Sequence, residues 1–194
     1  MFDHILNTVS EEGIKKINAT AKLVLRRRGD SAVEFSNAAG RLYALHFIEV
    51  GEVGDHRVLY YELRLAEGKR GGPPDKEAGQ MFIAILRQYL EEHPDDLVCF
   101  CHPDNHLSNA INRIFHLWAR VNRALYDGQY SYIEGTGRDA ENHGLHFMVM
   151  FNMVCKDIDE LKTFILDNSD EFAKMVREQI NLLHDIERKK YETV

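Results

Sequence analysis

Apolar residues recur at helical spacing near the start of the chain and alternate with polar ones soon afterwards. Ile14, Ile17, Ala21 and Val24 follow Ser10, a helix-capping residue type, and Glu11 and Glu12 fill the first turn, where the dipole favours acids. Arg26, Arg27 and Arg28 followed by Gly29 have the character of a last turn and a stop, so the pattern predicts a helix over about 10–28. Period-2 alternation then takes over. Val33 and Phe35 alternate with Glu34 and Ser36, the turn Asn37–Gly40 leads into Arg41–Val50, and Gly51–Asp55 leads into His56–Ala66. In that last run Leu59, Tyr61, Leu63 and Leu65 share one face, and Tyr60, Glu62 and Arg64 the other. Short connections and one wetter face predict an antiparallel meander.

The segment Glu67–Pro74 carries three glycines and two prolines and is the clearest break in the chain. A helix resumes at Asp75 with Phe82, Ile85, Leu86, Tyr89 and Leu90 on its apolar face, and Pro94 closes it. Leu97–Cys101 is a continuous apolar run, the signature of a central strand. A long helix is expected from Leu107 to about Tyr126, ended by Gly128. Tyr130–Glu134 and His143–Asn152 read as a hairpin. Asp157 with Glu160 opens a C-terminal helical segment, about 157–190, that breaks near Asp167–Ser169. The expected order is α-β-β-β-α-β-α-β-β-α. That is an α+β fold in which a mostly antiparallel sheet of about six strands packs against helices, forming a single domain over 1–194.

Composition narrows the function classes. The 194 residues are 44% hydrophobic and 28% charged, an ordinary globular balance. A chain of this length buries roughly 70% of its unfolded surface, so its core needs no metal or disulfide. The formal net charge of −7 disfavours non-specific nucleic-acid binding, which rests on phosphate neutralisation. No apolar run approaches the ~20 residues of a membrane span, and the N-terminus lacks a basic region followed by an apolar one. Cys99, Cys101 and Cys155 are too few and too irregularly spaced for a disulfide framework. A cytoplasmic protein with free thiols and no membrane association is expected.

The candidate chemistry centres on the segment after Cys101. Arg113, His116, Arg120 and Arg123 form a stripe on a predicted helix that holds no acid between Leu107 and Leu125. With Asn105 and His106 in the preceding turn, this stripe is the expected binding site for an anionic ligand or an acidic protein partner. A solvated basic face paired with neighbouring acids explains the same residues. Cys99, Cys101 and His106 supply soft donors for a metal, but Cys-x-Cys lacks the usual zinc-knuckle spacing, and small buried cysteines account for the pair as well. Gly68–Gly72 is followed by no Gly-Lys-Ser/Thr, and Gly135–Gly137 by no third glycine, so neither nucleotide loop is present. The apolar stripe of the last helix fits either intramolecular core or a homodimer contact.

Two resemblances bear on these residues. Asp96–Cys101, the turn His102–His106 and Asn112–Trp118 resemble an uncharacterised bacterial family of unknown function. In that family a strand ends in Cys before a polar turn, and a helix then carries Arg, Phe and Trp, here Cys101, Arg113, Phe115 and Trp118. Its turn is more acidic, where this chain has His102 and His106. This resemblance implies a bacterial protein and a fold, but no catalytic residue. The succession of three antiparallel strands, helix, strand, helix and two strands is similar to that of the GCN5-related N-acetyltransferases. That resemblance implies acetyl-coenzyme A as cofactor and a V-shaped split between the central strand and its neighbour. It also implies a pyrophosphate-cradling loop of the form Gln/Arg-x-x-Gly-x-Gly/Ala. Here the loop reads Arg70-Gly71-Gly72-Pro73-Pro74, and its prolines remove two backbone donors. The expected function is therefore a module that binds an anionic ligand or protein partner without cofactor or catalysis. The alternatives are a coenzyme A-dependent N-acyltransferase and a metal-dependent hydrolase.

Overall fold

The computed structural model describes residues 8–29, 31–67, 75–103 and 128–192, with side chains as far as 182. Along the chain come α1 (Glu11–Thr20), β1 (Leu25–Arg27), β2 (Ala32–Ser36), β3 (Leu42–Val53) and β4 (His56–Glu67). They are followed by α2 (Lys76–Glu92), β5 (Leu97–Pro103), β6 (Tyr130–Arg138), β7 (Gly144–Asn152), α3 (Ile158–Asp167) and α4 (Ser169–Glu192). The strands form one sheet in the order β1-β2-β3-β4-β5-β7-β6. All neighbours are antiparallel except β4 and β5, which run parallel. The fold is α+β, as expected, with a mixed sheet of seven strands. The helix expected over Leu107–Tyr126 lies outside the described residues, and no described helix is long and apolar enough to cross a membrane.

The seventh strand comes from the first expected helix, which is corrected here. Instead of running over 10–28, α1 ends at Thr20 with Ala21 extended, and Leu25–Arg27 form an edge strand on β2. The side chain of Asn18 explains the stop. Its carboxamide accepts from Leu25 N–H at 2.7 Å and donates to Leu25 C=O at 2.9 Å, turning the chain back into the sheet. Leu25 is thereby buried, whereas Val24, which continued the helical period, is 60% exposed. The basic run Arg26–Arg28 lies on and beside the sheet edge, where charges also discourage further strand pairing. The β3–β4 hairpin is also tighter than expected. Gly51 sits inside β3 at a bulge with φ +146, and the turn itself is Gly54–Asp55, with Gly54 at φ +60.

Alternation along the strands builds a core on each face of the sheet. Phe35, Phe47, Leu59, Tyr61 and Val98 pack under Phe82, Ile85, Leu86 and Tyr89 of α2. Val58, Leu97, Cys99, Val149 and Phe151 pack under Leu161 and Ile165 of α3 and Phe172 and Val176 of α4. The division of β4 into Leu59, Tyr61 and Leu63 on one face and Tyr60 on the other is the one its alternation predicted. Each large apolar side chain removed from water contributes about 1.5–3 kcal/mol, so the two cores supply most of the driving force. Ser10 ties α1 to the end of α2, donating its backbone N–H and its hydroxyl to Glu92 at 2.7 and 2.6 Å.

The parallel join between β4 and β5 carries a buried polar brace. Arg57, just before the paired residues of β4, donates to Asp96, just before β5, through Nε at 3.1 Å and an Nη at 2.5 Å. Tyr89 of α2 donates its hydroxyl to the same carboxylate at 2.6 Å, and Glu49 of β3 lies 3.7 Å from Arg57. Burial alone disfavours the Arg57 charge, but the hydrogen bond and Coulomb attraction of Asp96 outweigh it and raise the Arg57 pKa. Removing Asp96 takes from the Tyr89 hydroxyl and the Arg57 guanidinium the buried carboxylate that both bond. Asp96→Ala is therefore expected to lower unfolding stability by about 3 kcal/mol in urea titration, whereas loss of a surface ion pair costs less than about 1 kcal/mol.

Candidate functional site

The site is a gap in the sheet. β4 and β5 share only three register pairs, Val58↔Leu97, Leu59↔Val98 and Tyr60↔Cys99. Beyond them β4 continues to Glu67 along β3, and β5 continues to Pro103 along β7. Each strand keeps its form because its outer neighbour satisfies one edge. Every second residue of a strand directs its N–H and C=O to the opposite edge. Past Tyr60 and Cys99 those edges of β4 and β5 face one another with no ladder between them.

Aromatic rings close the base of the gap on the α2 side. The rings of Tyr61 and Phe100 meet edge-on with centroids 5.3 Å apart, and Phe82 packs against both at 5.0 and 5.3 Å. Tyr61 follows the last paired residue of β4. Its hydroxyl is buried and has no hydrogen-bond partner among the described residues, and burial pushes its pKa well above the ordinary value. A buried hydroxyl left unpaired costs about 1–3 kcal/mol. Further along β5, His102 stacks on His146 of β7, its register partner, with ring centroids 5.3 Å apart.

The opposite side of the gap is polar. Glu62 and Arg64 of β4 pair through contacts of 2.6 and 2.7 Å. Tyr60 lies beside them, its phenol pushed up by burial and by the thiols of Cys101 and Cys99 and the carboxylate of Glu62. Burial pushes the Cys101 thiol up to about 12; Arg177 of α4 pulls it down and Glu62 pushes it up, which locates both near the sulfur. Cys99 is fully buried in the apolar core with its thiol well above the ordinary range, and burial and nearby acids push Cys155 up to about 11. Burial thus favours the protonated form of all three thiols at neutral pH.

The end of α2 nearest the gap is already occupied by an anion. The Asp75 side chain accepts from Ala78 N–H at 3.0 Å and from the carboxamide of Asn37, and Tyr43 lies 3.4 Å away. An incoming phosphate meets this carboxylate before it meets the helix dipole.

The residues singled out from the sequence divide clearly. Asn105, His106, Arg113, His116, Arg120 and Arg123 lie outside the described residues, as does Gly68–Gly72. Cys99 and Cys101 do point to one face, as Cys-x-Cys on a strand requires, but Cys99 is part of the packed core. The sequence reading had placed Tyr60, Glu62 and Arg64 on one face without assigning them to a site. It placed Tyr61 with Leu59, Leu63 and Leu65 on the other face. The missed signal was a hydroxyl in an otherwise apolar stripe of β4. No family model, curated protein or solved structure matches the chain.

The Asp75 cap has a pH signature. Burial would raise its pKa, but the hydrogen bonds from Ala78, Asn37, Glu77 and Tyr43 outweigh it and leave the group below its ordinary 3.8. A depressed carboxylate adds stability above its unfolded pKa and loses it as pH falls through the folded one. Asp75→Asn keeps an oxygen for the cap but carries no titrating charge. Urea midpoints at neutral pH and near pH 3 are expected to show the native chain ahead of the variant at neutral pH and the difference shrinking in acid.

Proposed function

We propose that the protein binds a coenzyme A thioester with the extended arm of the ligand in the gap between β4 and β5, and passes the acyl group to an amine. The observation that carries this reading is the parallel ladder that stops after three pairs while both strands continue. It matches the split implied by the resemblance to the GCN5-related N-acetyltransferases. An arm bearing amides pairs with the unladdered strand edges as an added strand does. The unpartnered Tyr61 hydroxyl supplies a donor at the base of the gap.

The acceptor amine enters from the side of Tyr60, Glu62 and Arg64. Its nitrogen attacks the thioester carbonyl, the C–N bond forms, the C–S bond breaks, and coenzyme A leaves as the thiol. Glu62, held by Arg64, takes the amine proton, which then passes to the leaving thiolate and regenerates the carboxylate.

Binding without transfer is the second reading, that of a module for an anionic ligand or protein partner. Asp75 favours its protein-partner form, because a carboxylate stands where the acetyltransferase pattern places phosphate-binding backbone donors. The two readings separate in a thermal-shift titration followed by mass spectrometry of acetyl-coenzyme A incubated with an amine panel. Transferase function predicts that acetyl-coenzyme A at a hundredfold excess over Kd raises Tm by about 5 °C, with an acetylated amine as product. Tyr61→Phe should weaken that shift while leaving the ligand-free Tm unchanged or higher, since it removes an unsatisfied buried hydroxyl. No shift with acetyl-coenzyme A or coenzyme A overturns the proposal. A shift with other anions alone supports the second reading.

A further inference from the structure

Ahead of the first β4–β5 pair, on the side away from the gap, three segments distant in sequence bring an imidazole, a carboxylate and a thiol together. His56 opens β4, Asp95 lies just ahead of β5, and Cys155 follows β7. One ligand atom from each lies within 4.8 Å of the other two, and Cys155 Sγ is 3.6 Å from His56 Nδ1. His56 and Cys155 are buried, and Asp95 is exposed to solvent.

We propose that His56, Asp95 and Cys155 form a binding site for a divalent transition metal of the zinc class. Nitrogen, oxygen and sulfur donors together suit a borderline-soft ion and are a poor set for magnesium or calcium. Tetrahedral ligands at zinc–nitrogen and zinc–sulfur distances of about 2.0 and 2.3 Å lie roughly 3.5 Å apart, close to the spacing of Sγ and Nδ1 here. The surrounding charge favours a cation. Asp96 and Asp157 as well as Asp95 act on the Cys155 thiol as nearby negative charges. Asp157 is the N-cap of α3 in the left-handed conformation, φ 55, and its side chain makes no capping bond. Its carboxylate is thus uncommitted to the helix and adds negative charge beside the cluster, and water is the fourth-ligand candidate. A groove of about 340 Å³ lined by Asp55, His56, Asp157 and Glu160 among others provides an entry path.

Protons balance in the loading step. Without metal, His56 Nδ1–H donates to the Asp95 carbonyl at 2.8 Å, and the Cys155 thiol donates to the Lys156 carbonyl at 3.4 Å. Metal binding moves the imidazole proton to Nε2 and releases the thiol proton to water, so one proton leaves per ion and no electron is transferred. The bound ion would pin the start of β4, the entry to β5 and the exit of β7 to one another. Its role is to brace the sheet, and it lies at the opposite end of the paired residues from the gap.

The test is titration of the reduced, chelator-treated full-length protein with Co²⁺, with Zn²⁺ displacement. The expected result is one tight ion per chain and a thiolate-to-cobalt charge-transfer band in the near ultraviolet, both reversed by Zn²⁺. Cys155→Ser should abolish the band, His56→Ala should weaken binding at least about tenfold, and Cys101→Ser should leave both intact. Should either site variant fail to fold, alkylation of the native chain decides instead: Zn²⁺ must slow modification of Cys155 relative to Cys101. Cobalt binding without the band, a band that survives Cys155→Ser, or alkylation of Cys155 unaffected by Zn²⁺ overturns the proposal.

Discussion

Three residue pairs of parallel ladder between β4 and β5 hold the two halves of the sheet together. Everything on one side, β1 to β4, is an antiparallel meander, and everything on the other, β5 to β7, is a second antiparallel unit. Parallel pairing is slightly weaker per residue than antiparallel pairing, so a join this short needs reinforcement. It comes from both faces. On the α2 face, Arg57, Asp96 and Tyr89 form a buried charged network beside the first pair, Val58↔Leu97. On the other face, His56 bonds to the backbone of Asp95 next to Cys155. Among the described residues, a fixed base and two strands that each answer to a different outer neighbour leave no ladder between β4 and β5 above the join.

That opening gives the fold its capacity for chemistry. Its edges are backbone groups and its base is a ring of aromatic side chains. Its far wall is an ion pair, Glu62 with Arg64, against shielded thiols. Burial holds the cysteines protonated, and the Asp75 carboxylate caps the start of α2. The proposed metal cluster belongs to the structural base of the same join, not to its opening.

Much of the fold was legible because strand alternation is a local signal. His56–Ala66 showed its two faces directly, and Leu97–Cys101 read as central because both of its faces are buried. The boundary of α1 was not legible. Val24 extended the helical period by chance, while Asn18 and the pairing of Leu25 with Phe35 decide the true stop. The extent of the β4–β5 ladder had no local signal either, since it depends on which outer neighbours carry each strand onward. His56, Asp95 and Cys155 span up to 99 positions, and their spacing matches no ligand motif. The basic stripe from Arg113 to Arg123, the strongest candidate in the sequence, lies outside the described residues.

The central claim is a sheet joined at its base and open above it, and amide hydrogen exchange resolved by residue tests it most directly. The account predicts core-like protection for the paired amides of Val58–Tyr60 and Leu97–Cys99. It predicts fast exchange for every second amide of β4 from Tyr61 to Glu67, with protection gained on adding acetyl-coenzyme A. Uniform slow exchange along the whole of β4 and β5 in the free protein would contradict it, because it would mean that the ladder runs the full length of both strands.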